Sequence, residues 1–360
     1  GGTITFDPSL AGQTITLTSG PIAPAGDVTI DAAGAPGLIL DGGGNDRVLV
    51  VDSGRTVSVA HLSMTNGYAS QLGGGVLNNG TLTLDHVSVF GNTMETDAGD
   101  FWQGGGGIYN GDGATLNLID STVADNVSGW TGGGIYSFFN TTTSIVRSTI
   151  SGNVALDVAG GLRVLGDGEM INSTVSGNTS TTWHGGALFQ TDGTMNIIHS
   201  TIADNQAPEG AAGAIFVGTF GESSAAVTLS NTIVANNANF NCVVAVNGSG
   251  TVTLTADSNN VVTDDSCNPG NSDQIVVDAG LEPLADNDGP TLTQALSSGS
   301  PAIDMAGEAA CTATDQRGVV RPQGTACDVG AVEVTPTAID DDRPTGPDGV
   351  IKVFLPAVKQ

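Results

Sequence analysis

The sequence predicts an all-β chain: a single-stranded right-handed parallel β-helix, or solenoid, with three short strands per coil and an irregular, disulfide-bearing C-terminal cap. Three observations predict it. One phrase recurs along the chain, as STVADN at 121–126, STISGN at 148–153, STVSGN at 173–178 and STIADN at 200–205. Two further phrases alternate with it at a spacing near one coil. The composition is rich in glycine (53 residues of 360) and poor in aromatic side chains (4 %), which suits a fold that turns often and buries small β-branched residues.

Aligned on their apolar centres, the first phrase and its looser copies fall at Met64, Val89, Val123, Ile150, Val175, Ile202 and Ile233, in steps of 25 to 34 residues. The second phrase is glycine-rich, as GGGV at 73–76, GGGI at 105–108 and 132–135, and GGAL at 185–188. The third is a short alternating strand, as TLTL at 81–84, TLNL at 115–118 and MNII at 195–198. Three strands separated by Gly, Asn or Asp turns make one coil. No coil can bury its apolar residues alone; stacked about 4.8 Å apart, the coils form a continuous inner column. The asparagines closing the first phrase, Asn92, Asn126, Asn153, Asn178, Asn205 and Asn236, are expected to stack as turn residues. A further column, His61, His86, Asp120, Arg147, Asn172, His199 and Ser230, is expected to face outward. There Asp120 and Arg147 would form a surface ion pair, and His61 and His86 would stack.

Residues 1–239 read as the coils, the first sixty with looser phrasing. Residues 240–334 hold both cysteine pairs and five of the fourteen prolines, and read as the final coils and cap. A Pro/Asp/Gly linker follows at 335–349, then an apolar, β-prone tail at 350–360.

Charge narrows the partners. The net charge is −28, and the only lysines are Lys352 and Lys359. Nucleic acid is a poor partner, because phosphate contacts need basic residues. The acidity suits a solvated extracellular surface and would hold Ca²⁺ weakly; no cofactor or metal motif is expected. No transmembrane run is present. Four cysteines allow three pairings; the sequential one, Cys242–Cys267 and Cys311–Cys327, is preferred, and it implies an oxidising compartment.

The GG[AG][ILV] and [VI]xxN phrases resemble the repeats of polymorphic outer membrane proteins. SGSPAID at 298–304, TDQRG at 314–318, RPQG at 321–324 and CDVGAVE at 327–333 resemble the terminal module of large secreted bacterial β-helix proteins. The resemblance spans residues 1–334. It implies a bacterial cell-surface protein, structural or adhesive and without assigned activity. A cysteine-containing segment often precedes the first coils in that group; here the chain opens at GGTITF, which leaves the first coil uncapped in this reading.

Three functions are weighed against these residues. Polysaccharide cleavage, as lyase or glycosidase, needs carboxylates about 5–9.5 Å apart. Asp125 and Asp204 share a coil position but lie three coils apart, about 14 Å at the coil rise. Arg147 and Arg163 are the basic groups of the middle coils apart from His184 and His199, so a lyase base has few candidates, and no catalytic residue is assigned. Asp286-Asn287-Asp288-Gly289 reads as a turn rather than a Ca²⁺ loop. Glycan binding has a candidate surface: Trp102, Trp130 and Trp183 each precede a glycine-rich strand, with Asp157 at the matching place in the coil between the last two, and Asp97 and Asp100 in the insertion before Trp102. Self-assembly with other copies, or binding to other surface components, is the third. Ile4 and Phe6 at an open first coil could accept Ile351, Val353, Phe354 and Leu355 of another chain's tail by β-strand addition, giving filaments or a layer.

Overall fold

The computed structural model describes residues 1–95, 102–307 and 311–335, apart from the side chain of Asp257. The described chain is a parallel β-solenoid whose strands pair coil to coil. Three long sheets run its length, of ten, eleven and eight strands. The third phrase builds the first sheet, the STxxxN phrase the second, and the glycine-rich phrase the third. The middle coils add a two-residue strand after each Asn turn, as at Val127–Ser128 and Val154–Ala155, giving a five-stranded fourth sheet.

Register makes the columns. In the first sheet Leu84, Leu118, Ile145, Met170, Ile197 and Leu229 lie on successive rungs, all buried. In the second sheet the column is Met64, Val89, Val123, Ile150, Val175, Ile202 and Val234. Burial of these side chains against one another supplies the hydrophobic driving force that no isolated coil has.

The STxxxN phrase has a polar logic as well. Its serines stack, the Ser121 backbone N–H donating to Ser148 Oγ and that of Ser148 to Ser173 Oγ, both at 3.1 Å. Its asparagines form a ladder that is fully buried from Asn92 to Asn205. Asn126 Nδ2 donates to Asn153 Oδ1 and Asn153 Nδ2 to Asn178 Oδ1, each at 2.9 Å, and each amide also reaches an inner carbonyl. The ladder ends on Asn237, not Asn236, because Ile202 pairs with Val234; the phrase beginning at Asn231 is shifted by one residue. The outward column correspondingly ends on Asn231 rather than Ser230. Its members His61, His86, Asp120, Arg147, Asn172, His199 and Asn231 all have left-handed backbone, φ between 46° and 59°, at the corner between the first two sheets.

Glycine is required where coils touch. A Cβ on Gly133 would lie 2.4 Å from the Gly160 carbonyl oxygen, and one on Gly106 the same distance from that of Gly133. The GGG phrase is thus a row of close backbone approaches.

Both disulfides form as the sequential pairs, Cys242–Cys267 and Cys311–Cys327. The irregular C-terminal part folds back along the outer face of the second sheet. Gln316 is its main anchor: Nε2 donates to Thr149 Oγ1 and Thr291 Oγ1, both at 2.9 Å, and Oε1 accepts from Thr174 Oγ1 at 2.7 Å. Asn172 Nδ2 donates to Thr314 O, and the Ala331 N–H to Thr201 Oγ1. This docking corrects the expected exposure of the corner column. Asn172, His199 and Asn231 are buried beneath the returning segment. The Asp120–Arg147 pair is bidentate, at 2.8 and 2.6 Å, with the carboxylate nearly buried, rather than a loose surface contact. Within the segment Arg321 and Glu333 form a fully buried ion pair at 3.1 Å.

Candidate functional site

Alternate residues of the glycine-rich strands point away from the rod. On successive rungs these are Leu77, Tyr109, Tyr136, Arg163, Phe189, Phe216 and Val243. An outward row of aromatics would ordinarily meet water, yet Tyr109, Tyr136, Phe189 and Phe216 are buried. Turn segments cover them: Leu72, Phe138 and Phe139 over the tyrosines, Val158 and Ala159 over the phenylalanines.

Arg163 interrupts this aromatic row and is itself fully buried. Its guanidinium lies 4.8 Å from the Tyr136 ring centroid and 5.9 Å from that of Phe189, a cation–π sandwich. Burial lowers its pKa from the usual arginine value, and Tyr136 and the Asp157 carboxylate oppose that shift. Burial raises the pKa of half-buried Asp157, and Arg163 pulls it back.

Above Arg163 opens a cavity of about 370 Å³. Its walls are Trp102, Phe139, Leu165 and Phe220, and Thr191 and Ser223 supply hydroxyls. Trp102 packs edge-on against Phe138 at 5.7 Å and against Phe139 at 5.5 Å, which fixes the indole while leaving 46 % of the residue exposed. Phe220 stands at the far end of the ten-residue strand Ala212–Gly221, where that strand outruns its coil. The Ser223 hydroxyl donates to Thr191 O at 3.1 Å. Thr191 Oγ1 is buried and makes no hydrogen bond.

The three tryptophans do not form one surface. Trp130, Asp157 and Trp183 do lie on consecutive coils: the Asp157 N–H donates to Trp130 O at 2.8 Å, and the Trp183 N–H to Asp157 O at 3.1 Å. Trp130 is half-buried with Nε1 enclosed and unbonded, and Trp183 packs on His184, Phe189 and Phe216. Trp102 stands apart and faces the cavity, because a bridge from Gly104 to Thr131 aligns Gln103, rather than Trp102, with Trp130. Asp97 and Asp100 lie outside the described residues, as do Ile351, Val353, Phe354 and Leu355. Ile4 is exposed and Phe6 half-buried in the first coil, whose first strand pairs on one side with Val28–Asp31.

Sequence reasoning noted Arg163 as a rare base but not its place among aromatics. That place follows from period-two alternation in GGIY, GGIY, GGLR and GGALF, where the residue after the inward Ile or Leu faces out. Phe139 and Phe220 lie in coil extensions and carry no periodic signal. The Asp286–Gly289 segment is a turn, held by Asn287 Nδ2 on Thr293 O at 2.9 Å. Asp204, one of the two carboxylates weighed for catalysis, accepts from Gln294 Nε2 at 2.7 Å. Among the described residues, no helix is long and apolar enough to cross a membrane.

No family model matches the chain, and no curated protein does. Among solved structures it is similar to the pectate lyase Pel9A, with 15 % identity and a TM-score of 0.48 over 92 % of this chain and 87 % of that one.

Proposed function

We propose that this chain is a non-catalytic, extracellular adhesive solenoid of a bacterial surface that binds carbohydrate in the cavity above Arg163. The observation that carries the reading is the lining itself. A sugar's C–H face stacks on aromatic rings, and its hydroxyls need donors and acceptors placed at the edge. Trp102, Phe139 and Phe220 supply the rings; the partly exposed Ser223 supplies a hydroxyl, and the buried Arg163 puts a positive charge beneath the floor. The volume suits one or two sugar rings. No carboxylate is among the described lining residues, which favours retention over hydrolysis, since hydrolysis needs a carboxyl pair. The two disulfides accord with an oxidising, extracytoplasmic setting.

The test is a glycan array followed by titration of the best ligand against tryptophan fluorescence. Trp102→Ala and Phe220→Ala should each weaken binding by about tenfold or more, as central aromatic anchors do, with melting unchanged. An array without hits, or full affinity in Trp102→Ala, would overturn the reading.

A further inference from the structure

A second cluster lies at the corner between the first two sheets, where the left-handed column leaves the shelter of the returning segment. Asp85 ends one strand of the first sheet, His86 is the corner residue that follows it, and Asp120 is the corner residue of the next coil. His86 Nδ1 lies 2.6 Å from Asp85 Oδ1. Ligand atoms of Asp85, His86 and Asp120 all fall within 4.8 Å of one another. Beneath them, His61 stacks on His86 with centroids 5.1 Å apart and planes 23° off parallel, and its own Nδ1 meets Asp31 Oδ1 at 3.0 Å.

We propose that Asp85, His86 and Asp120 bind one divalent first-row transition-metal ion, of the Zn²⁺ or Co²⁺ class. The donor set is one imidazole and two carboxylates on adjacent coils, with the remaining positions open to water. Mixed nitrogen and oxygen donors favour such ions over Ca²⁺, which prefers oxygen alone. With bonds of about 2.0–2.2 Å, Asp85 Oδ1 and His86 Nδ1 must part from 2.6 Å while donors within 4.8 Å draw in; the exposed Asp85 and His86 side chains make that adjustment against the Asp120 carboxylate that Arg147 holds. The ion takes the place of the proton that His86 Nδ1 and Asp85 share, and the ring then carries its proton on Nε2. His61, locked by Asp31, is a positioning residue: its stack fixes the plane of the His86 ring.

Arg147 sets the strength. It grips both oxygens of Asp120, so the ion reaches that carboxylate through the remaining lone pairs and against a nearby positive charge. Two carboxylates and one guanidinium leave one negative charge at the ligands, enough for a divalent ion at moderate affinity.

The test is calorimetric titration of the full chain with Zn²⁺ in a non-coordinating buffer, with the visible absorption of Co²⁺ as a second readout. One saturable site is expected. His86→Asn and Asp85→Asn should each weaken binding about tenfold or more and erase the Co²⁺ band, and His61→Asn should weaken it by less. His184→Asn should leave it unchanged. Absence of saturable binding up to about 1 mM, or wild-type affinity in folded His86→Asn and Asp85→Asn, would overturn the proposal.

Discussion

Replacing Asn153 with Ala tests whether the asparagine ladder holds the coils together. Four hydrogen bonds end on that side chain. Asn126 N and Asn126 Nδ2 donate to its Oδ1 at 3.1 and 2.9 Å, and its Nδ2 donates to Val123 O and Asn178 Oδ1, both at 2.9 Å. Water cannot replace them, because Asn126, Asn153 and Asn178 are fully buried. At about 1 kcal/mol net for each bond the loss comes to about 4 kcal/mol, and the stranded Asn126 N–H pushes it upward. Urea unfolding followed by circular dichroism measures it. Asn153→Asp is the sharper companion. It keeps the acceptor for Asn126 but turns an oxygen toward Val123 O and Asn178 Oδ1, so it should cost more than Ala at neutral pH. Asn117→Ala, which breaks one 3.3 Å bond to Thr83 on the half-exposed face, should cost under about 1 kcal/mol. A loss below about 1 kcal/mol for Asn153→Ala, or an Asp variant milder than Ala, would refute the ladder as a source of stability.

Two further predictions concern buried charge. Arg321→Met strands the Glu333 carboxylate, which burial already pushes above its usual pKa, and removes the bonds from Arg321 to Asp328 O and Gly330 O. A loss of about 3–5 kcal/mol is expected, seen first as protease cleavage within residues 276–335, and unchanged protease resistance would count against it. His184 is held neutral: burial lowers its pKa from 6.5, and its Nδ1 accepts from the Ala212 N–H at 3.1 Å. Its contribution is complete above pH 6.5 and is lost as pH falls from there through the lower folded value, because the unfolded chain takes the proton first. His184→Gln should flatten the stability profile in that window, and a profile identical to wild type would remove His184 as its cause.

The rod was legible because its signals are local and repeated. The columns through Val123, Ile150, Val175 and Ile202 were fixed by four near-identical phrases. The slip at Ile233 arose where that anchor weakened: in NTIVANN either Ile233 or Val234 can be the centre, and either Asn236 or Asn237 the ladder residue. Pairing with the neighbouring coil decides it. The returning segment was not legible, because the contacts of Gln316 with Ser148, Thr149 and Thr174 join residues more than 140 positions apart. The cavity was half legible. Trp102 was marked by its place before a glycine-rich strand, whereas Arg163 needed the outward alternation of four strands to be read together.

Gln316 has a consequence for how the rod comes apart. A solenoid whose coils touch only their neighbours opens at any boundary, each joint answering for itself. Here one side chain reaches Ser148, Thr149 and Thr174 on two coils, while Asn172, Thr201 and Asn231 bind the same returning segment. Those coils must let go together or not at all, whereas the coils before Arg147 have no such clamp among the described residues. Amide exchange should therefore be graded along the axis, fast toward Gly1 and falling abruptly past Ser148. The protein behaves as a zipper with its slider parked two-fifths of the way along.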